Sequence, residues 1–213
     1  MQERPWALDG RTSIRAIVFD FGGVLVDWNP RYLYRQLFAD EEAMERFFRE
    51  IDFIAWNHEQ DRGRPFAEGV ALLSREFPHY AELIAAYHHR WEESISGPIW
   101  ETVEILGELK RQGYPLYGLT NWSAETFPLV RDRYEFFGWF DAIVVSGEVR
   151  MCKPEPGIFE VLLQRSGRAP GECLFIDDSP VNVAASERLG FQAIRFESPA
   201  QLRDELIRRG LLA

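Results

Sequence analysis

Short apolar runs alternate with amphipathic segments of helical length over most of this chain. The first run, residues 14–19, is rich in β-branched residues and ends at Asp20, as expected of a buried strand. Strands are predicted at residues 14–19, 116–119, 142–145, 173–176 and 192–196. Because helical patterns separate these strands, the chain is predicted to have an α/β fold with a Rossmann-like parallel sheet of about five strands sandwiched by helices.

Between the first strand and Gly97 the pattern is helical, and no second strand is expected there. Helices are predicted over residues 32–38, 41–51, 66–77 and 79–95. A long helical stretch between two neighbouring strands indicates an insertion. We therefore predict a helical cap, residues 28–97, inserted into a catalytic core made of residues 1–27 and 98–213.

Composition and charge narrow the function classes. With 213 residues, 46% of them hydrophobic, the chain can bury a sizeable core. Its formal net charge of -10 argues against a nucleic-acid partner. The first residues lack a leader pattern, no apolar run approaches the ~18 residues that span a bilayer, and Cys152 and Cys173 indicate neither a disulfide framework nor a metal-binding spacing. We expect a cytoplasmic monomer or homodimer without a membrane partner.

Polar side chains follow the predicted strands at the edge where parallel sheets bind ligands. Asp20 follows the first strand, Thr120 and Asn121 follow the second, and Asp177 and Asp178 follow the fourth. Carboxylates that converge at one edge repel each other unless a cation or a proton intervenes. Mg²⁺ suits such a site because it binds a few carboxylates together with water or phosphate oxygens. Helix capping would explain one aspartate of the pair but leaves the second unexplained.

The remaining polar residues at this edge suit an anionic ligand. Thr120 and Asn121 can donate hydrogen bonds to phosphate oxygens, although a helix N-cap would explain them equally well. Lys153 follows the third strand, where an ammonium can bridge a nucleophile and a phosphate as a point charge. A single lysine in a loop is ordinarily solvated. The prediction that Lys153 contacts the ligand therefore depends on its position at the edge of the sheet.

Together these segments resemble the four ordered motifs of the haloacid dehalogenase superfamily. The matching segments are Asp20-Phe21-Gly22-Gly23-Val24-Leu25-Val26-Asp27, Leu119-Thr120-Asn121, Lys153-Pro154 and Phe175-Ile176-Asp177-Asp178. The helical insertion is similar to the cap of subfamily I. The resemblance implies a hydrolase in which Asp20 attacks phosphorus and forms an aspartyl-phosphate. It thus predicts a phosphatase that acts on a small phosphorylated metabolite, with sugar phosphates as the favoured class.

The resemblance also implies the roles of individual residues. Catalytic roles are expected for Asp20, Thr120 and Lys153. Substrate binding is expected for Thr120, Asn121, Lys153 and His58. A magnesium ion is expected on Asp20, the backbone carbonyl of Gly22, Asp177 and Asp178, with Asp178 the first choice for direct ligation.

One position departs from the superfamily pattern. Its phosphatases usually carry a second aspartate two residues after the nucleophile, as general acid and then base, and this chain has Gly22 there. Such assistance is typically worth ~10²–10⁴ in rate. The leaving group could need little protonation, as in an anomeric sugar phosphate. Alternatively, His58 or Glu59 of the cap could supply the proton, or the protein is not a phosphatase.

Two rival functions follow from Gly22. The 2-haloacid dehalogenases of the superfamily also lack the second aspartate, but they need no magnesium and do not carry the pair Asp177-Asp178. A binding protein with an impaired site would have no need to keep Asp20, Lys153 and both of these aspartates. Among the phosphatases, Gly22 and the stretch of residues 27–32 are similar to a branch that includes bacterial α-D-glucose-1-phosphate phosphatases and the N-terminal domain of soluble epoxide hydrolases.

Overall fold

The computed structural model describes residues 14–213. The first residues of the predicted core, and the segment on which the prediction of no leader rests, lie outside this range. The strands are β1 (Ala16–Phe19), β2 (Val26–Trp28), β3 (Ile95–Pro98), β4 (Leu116–Thr120), β5 (Ala142–Val145), β6 (Cys173–Asp177) and β7 (Gln192–Arg195). Five of them form one sheet in the order β5-β4-β1-β6-β7, and every pair in it is parallel.

This sheet confirms the predicted α/β fold. Strand β1 lies at its centre and all four of its residues are buried. Such continuous burial explains why the strand is an unbroken apolar run rather than an alternating one. The register pairs Phe19 with Gly118 of β4 and with Ile176 of β6. The residues that follow β1, β4 and β6 therefore meet at one edge of the sheet.

The α-helices fall into two groups along the described part of the chain. Those between β2 and β3 are α1 (Arg31–Tyr34), α2 (Glu41–Glu50), α3 (Phe53–Asp61), α4 (Phe66–Glu76) and α5 (Ala81–His89). Those after β3 are α6 (Trp100–Arg111), α7 (Phe127–Arg131), α8 (Ser146–Val149), α9 (Pro156–Ser166), α10 (Pro180–Arg188) and α11 (Pro199–Arg208). We refer to residues 31–94 as the helical insertion. Among the residues that the structure describes, no helix combines the length and apolar character needed to cross a bilayer.

The prediction of no strand between β1 and Gly97 is wrong. Strands β2 and β3 pair in an antiparallel two-stranded ribbon that joins the two ends of the helical insertion. Each has only three or four residues, and β3 contains Ser96, Gly97 and Pro98, so neither gives an alternating apolar pattern. Both boundaries predicted for the cap, 27/28 and 97/98, fall within this ribbon.

The helices of the insertion also differ from the predicted ones. Helix α3 was not predicted, because its buried face includes the polar residues Asn57 and Gln60 and so lacks a clear apolar stripe. The single helix predicted over 79–95 is α5 with a short 3₁₀ segment on either side.

A dense aromatic cluster holds the insertion together. The ring of Tyr34 contacts Phe47 and Phe48 at centroid distances of 5.0 and 5.1 Å. Tyr87 contacts Phe53 at 4.9 Å and Trp56 at 5.8 Å. Because aromatic rings bury large areas in preferred geometries, this cluster gives α1, α2, α3 and α5 one shared core.

A second aromatic contact fixes the loop after β1. Phe21 directly follows Asp20, and its ring lies over the backbone of Gly118 in β4. A Cβ at Gly118 would lie 2.3 Å from the nearest atom of that ring. The ring also packs edge-on against Phe137 and is stacked with Phe127. The side chain at residue 118 must therefore be absent for Phe21 to reach its place beside the sheet.

We expect Gly118→Ala to destabilise the protein by about 1–3 kcal/mol, because the buried ring of Phe21 would have to move from a well-packed position. The measurement is the free energy of unfolding in urea. Gly138→Ala is the matched control, since a Cβ there would meet no described atom within 4 Å. Equal stabilities of the two variants would contradict the proposed contact.

Candidate active site

Three carboxylates converge at the edge of the sheet. One oxygen from each of Asp20, Asp177 and Asp178 lies within 4.8 Å of the other two. Asp20 and Asp177 are buried, and Asp178 is exposed. The strand register produces this arrangement, because Asp20 follows β1 and Asp177 ends the neighbouring strand β6. The structure thus brings together the acidic residues that the sequence placed at strand ends.

One buried ammonium lies between two of these carboxylates. Lys153 Nζ is 2.8 Å from Asp20 Oδ1 and 2.7 Å from Asp177 Oδ2, and only 1% of the lysine is exposed. Its backbone is held by Asn121, which accepts the Lys153 N–H at 2.8 Å and donates to the Lys153 carbonyl at 3.0 Å. Asn121 therefore orients Lys153 as well as lining the site.

The pKa values respond to this burial. Burial raises the pKa of Asp20 to about 7, the charge of Lys153 opposes the rise, and the charge of Asp177 adds to it. Burial alone would lower the pKa of Lys153, but the charges of Asp177 and Asp20 together raise it. The pKa of Asp178 is raised by the partial burial of its carboxyl group and then by the charge of Asp177. These charged groups influence one another, so removing any one of them would change the pKa values of its neighbours.

Asp177 and Asp178 occupy different surroundings. Besides its ion pair with Lys153, Asp177 accepts the Ser179 N–H at 2.8 Å, and each of its oxygens accepts from Asn182 Nδ2 at 3.1 Å. The Asp178 carboxylate instead lies against Gly23, where an added Cβ would be 2.7 Å from Oδ2 and where φ is +73°. Asp177 is thus largely committed to protein partners, whereas the Asp178 carboxylate is the more accessible of the two.

The donor set fits a magnesium ion. When all are ionised, three carboxylates and one ammonium leave a formal charge of two negative, which a divalent cation would balance. Carboxylate oxygens are hard ligands, and Mg²⁺ commonly binds a few of them while water or phosphate oxygens fill its other positions. Protein hydrogen bonds and the ion pair to Asp20 end on Oδ1, which leaves Oδ2 for other chemistry.

Thr120, at the end of β4, carries a polar atom that lacks a partner. The residue is fully buried, and its Oγ1 makes no hydrogen bond with any described residue. Buried hydroxyls without a partner are uncommon and call for an explanation. A hydroxyl at the edge of the sheet, next to Asn121, is suited to donate to a ligand oxygen.

A small pocket lies between this edge and the helical insertion. The core contributes Gly22, Asn121 and Trp122, the connecting ribbon contributes Trp28, and the insertion contributes Asn57, Asp61, Tyr87 and Trp91. The volume of about 60 Å³ is far below the roughly 300–1,000 Å³ typical of sites for drug-sized ligands. The hydroxyl of Tyr87 is also buried here, near the indole groups of Trp28 and Trp91. The pocket therefore suits a small group with polar and apolar faces.

The acidic segment of α3 is arranged differently from the sequence prediction. His58 and Glu59, considered as proton donors, do not line this pocket, and Glu59 is exposed. Asn57 and Asp61 line it instead, because residues four apart lie on the same face of a helix. Sequence reasoning did not select Asp61. The spacing from Asn57 could have indicated it only once α3 itself had been predicted.

Known proteins resemble this chain in sequence and in fold. The model of the family "haloacid dehalogenase-like hydrolase" matches residues 14–190. A D-ribitol-5-phosphate phosphatase of Bacteroides thetaiotaomicron is 35% identical over 91% of this chain and 97% of the relative. A sesquiterpene phosphatase of Aspergillus oryzae is 28% identical over 84% of this chain and 88% of the relative. A HAD family enzyme of B. thetaiotaomicron, crystallised with magnesium and inorganic phosphate, has a similar fold, with a TM-score of 0.65 and 24% identity over 89% of this chain and 98% of that one.

We expect Lys153→Met to lower the free energy of unfolding at pH 7 by about 3 kcal/mol, because it leaves Asp20 and Asp177 buried without their shared counter-charge. Denaturant titration measures the change. Lys110→Met is the control: Lys110 is 40% exposed in a 3.4 Å pair with Asp141, and an exposed pair contributes about 1 kcal/mol or less. A loss at residue 153 no larger than the loss at residue 110 would contradict the buried ion-pair assignment.

Proposed function

Because the chain belongs to the haloacid dehalogenase-like hydrolase family, we propose that it is a magnesium-dependent phosphatase acting on a small phosphorylated metabolite. The reaction would proceed through an aspartyl-phosphate on Asp20. The observation that carries the proposal is the cluster of Asp20, Asp177 and Asp178 around Lys153, beside a buried Thr120 hydroxyl without a partner.

Asp20 has the features of a nucleophile. The Phe21 N–H donates to Oδ1 at 2.7 Å, and Lys153 contacts the same oxygen at 2.8 Å. These two contacts fix the carboxylate and direct Oδ2 away from the protein partners. A carboxylate nucleophile divides a difficult displacement into two steps, formation and hydrolysis of an acyl-phosphate.

The groups around Asp20 would stabilise the transferred phosphoryl group. Lys153 would contact its oxygens as a point charge, and Thr120 Oγ1 would donate the hydrogen bond that it does not make within the protein. Asn121 would act mainly by holding the Lys153 backbone, in addition to its predicted substrate contact. Phosphoryl transfer depends mostly on such positioning and charge stabilisation.

We propose that Mg²⁺ is held by Asp20, the backbone carbonyl of Gly22 and Asp178. Asp177 would not contact the metal directly, because its oxygens already accept hydrogen bonds from Lys153, Ser179 and Asn182. When bound, the metal would neutralise charge on the phosphate oxygens. The surplus of two negative charges, when all four groups are ionised, supports a divalent ion.

The same cluster opposes the dehalogenase alternative. A 2-haloacid is itself an anion, and a site with three carboxylates and one lysine would repel it without a metal. A phosphate ester carries its charge on oxygens that Mg²⁺ and Lys153 can both contact. The charge balance therefore favours the phosphatase.

The pocket supports a small polar substrate. The helical insertion contributes one wall of it, so we propose that residues 28–97 act as a cap over the site. The indole rings of Trp28, Trp91 and Trp122 offer apolar surface, and the Tyr87 hydroxyl offers a hydrogen bond. Together with the similarity to a D-ribitol-5-phosphate phosphatase, this favours a sugar or sugar-alcohol phosphate. Whether His58 contacts the substrate stays a prediction.

We expect Asp20→Asn to lower kcat for p-nitrophenyl phosphate by at least about 10³-fold, since loss of a covalent nucleophile costs on the order of 10⁶ in a well-studied hydrolase. Steady-state release of p-nitrophenol measures it. The control is Asp132→Asn, in which the replaced carboxylate is 71% exposed on the surface. Turnover of the residue-20 variant at the control's rate would rule out Asp20 as the nucleophile.

Removal of the metal is expected to abolish phosphatase turnover, because three carboxylates would then face the phosphate without the ion that offsets their charge. The measurement is p-nitrophenyl phosphate hydrolysis in excess EDTA and after addition of excess Mg²⁺, which should restore the rate. Full p-nitrophenyl phosphate hydrolysis in EDTA would contradict the metal requirement. Halide release from a 2-haloacid, without hydrolysis of the phosphate ester, would replace the phosphatase assignment with the dehalogenase one.

A further inference from the structure

The position that usually supplies the catalytic proton is empty space in this protein. Gly22 lines the pocket, and a Cβ built there would meet no described atom within 4 Å. The backbone at this glycine does not have positive φ. Neither packing nor backbone conformation therefore requires a glycine, and the missing carboxylate must be replaced from elsewhere or be unnecessary.

A carboxylate from the helical insertion faces this space. Asp61 is the last residue of α3 and lines the same small pocket as Gly22 and Asn121. Asn57 Nδ2 donates to Asp61 Oδ2 at 3.1 Å, and the backbone N–H of Ser123 also donates to its carboxylate. These contacts orient a side chain that has no salt-bridge partner among the described residues.

The backbone around Asp61 is fastened to the core. Ser146 Oγ, at the end of β5, donates to the Asp61 carbonyl at 2.5 Å. The next residue, Arg62, pairs with Glu155 at 2.6 Å in the loop that follows Lys153. Both contacts connect the C-terminal end of α3 to the edge of the sheet that carries the site. The hydrogen bond and the ion pair therefore fix the position of Asp61 beside the pocket.

We propose that Asp61 is the general acid and general base of the reaction, in place of the carboxylate that is missing at Gly22. This role rests on the proposed phosphatase function. It assigns to the insertion a chemical part in catalysis, in addition to forming a wall of the pocket.

The protonation of Asp61 suits this role. Burial raises the pKa of Asp61 to about 7, the hydrogen bond from Ser123 opposes the rise, and the charge of Asp20 adds to it. A group with a pKa near neutrality can both give and take a proton at physiological pH. Tyr87 lines the same pocket, but burial raises its pKa well above the usual value, so its hydroxyl would keep its proton.

The two steps balance with Asp61 in both. In the first, Asp20 Oδ2 bonds to phosphorus, the bond from phosphorus to the leaving oxygen breaks, and Asp61 gives its proton to that oxygen. The products are an alcohol, the aspartyl-phosphate and an ionised Asp61. In the second, Asp61 takes a proton from water, the water oxygen bonds to phosphorus, and the bond from phosphorus to Asp20 breaks. Inorganic phosphate leaves, and both aspartates return to their starting states.

The test compares two leaving groups in Asp61→Asn, a substitution that keeps the size of the side chain. D-ribitol 5-phosphate has an alkoxide leaving group that needs a proton, and its hydrolysis should fall by ~10²–10⁴-fold. p-Nitrophenolate leaves without a proton, so the first step should survive. We expect a burst of p-nitrophenol equal to the enzyme concentration, followed by slow turnover, because hydrolysis of the aspartyl-phosphate then lacks its base.

Two further variants separate catalysis from folding. Gly22→Asp combined with Asp61→Asn should regain at least ten-fold in p-nitrophenyl phosphate turnover over the single variant, because it places a carboxylate in the open space beside the nucleophile. Glu59→Gln is the matched control on the same helix, with an exposed carboxylate outside the pocket, and it should keep the wild-type rate.

The outcomes are distinguishable. If Asp61→Asn turns over p-nitrophenyl phosphate at the wild-type rate and without a burst, the role of Asp61 is wrong while the phosphatase assignment stands. Loss of both burst and turnover without rescue by Gly22→Asp would assign Asp61 a structural role and also overturn the proposal. If the wild-type protein with Mg²⁺ hydrolyses neither phosphate, the proposed function itself fails.

Discussion

The contact on which the site depends is the buried ammonium of Lys153 between Asp20 and Asp177. Parallel strands bring their carboxyl ends to one edge, and here that geometry places acidic residues next to each other at the cost of mutual repulsion. One lysine from the loop after α8, held through its backbone by Asn121, contacts two of these carboxylates and offsets one of their negative charges. It thereby reduces the repulsion among the carboxylates, and the net negative charge that remains would favour binding of a metal cation. The sequence contains 24 basic residues but only two lysines, Lys110 and Lys153.

Much of the core could be predicted from sequence because its strands are buried on both faces. The continuous apolar run of residues 173–176, for example, coincides with the fully buried strand β6, and Asp177 and Asp178 at its end occupy the predicted edge. The parallel sheet then determines proximity: residues far apart in sequence, such as Asp20 and Asp177, must meet. Periodicity and topology together were sufficient to predict that these carboxylates lie close together.

The insertion was less predictable because its signals are weaker. The ribbon of β2 and β3 is too short to show alternation, and α3 buries Asn57 and Gln60 among aromatic rings. Burial of polar residues removes the apolar stripe by which a helix is recognised. The position of Asp61 beside the pocket could not be predicted for the same reason, because it depends on which face of α3 meets the pocket. The local sequence pattern does not predict how one helix packs against the rest of the structure.

The polar fastening of α3 to the core has a consequence for the order of events in the catalytic cycle. Asp20 belongs to the sheet, whereas Asp61 belongs to the insertion, and the Ser146 hydroxyl bridges the two parts. A substrate that entered between them would widen the gap and so separate the nucleophile from the proposed acid. If Asp61 is the acid, the site would react only when the insertion is closed over Asp20. It would admit substrate only when the two aspartates are apart. Admission of substrate and chemistry on it would then alternate in time, and a site that stood open would be inert towards any phosphate ester that needs a proton to leave.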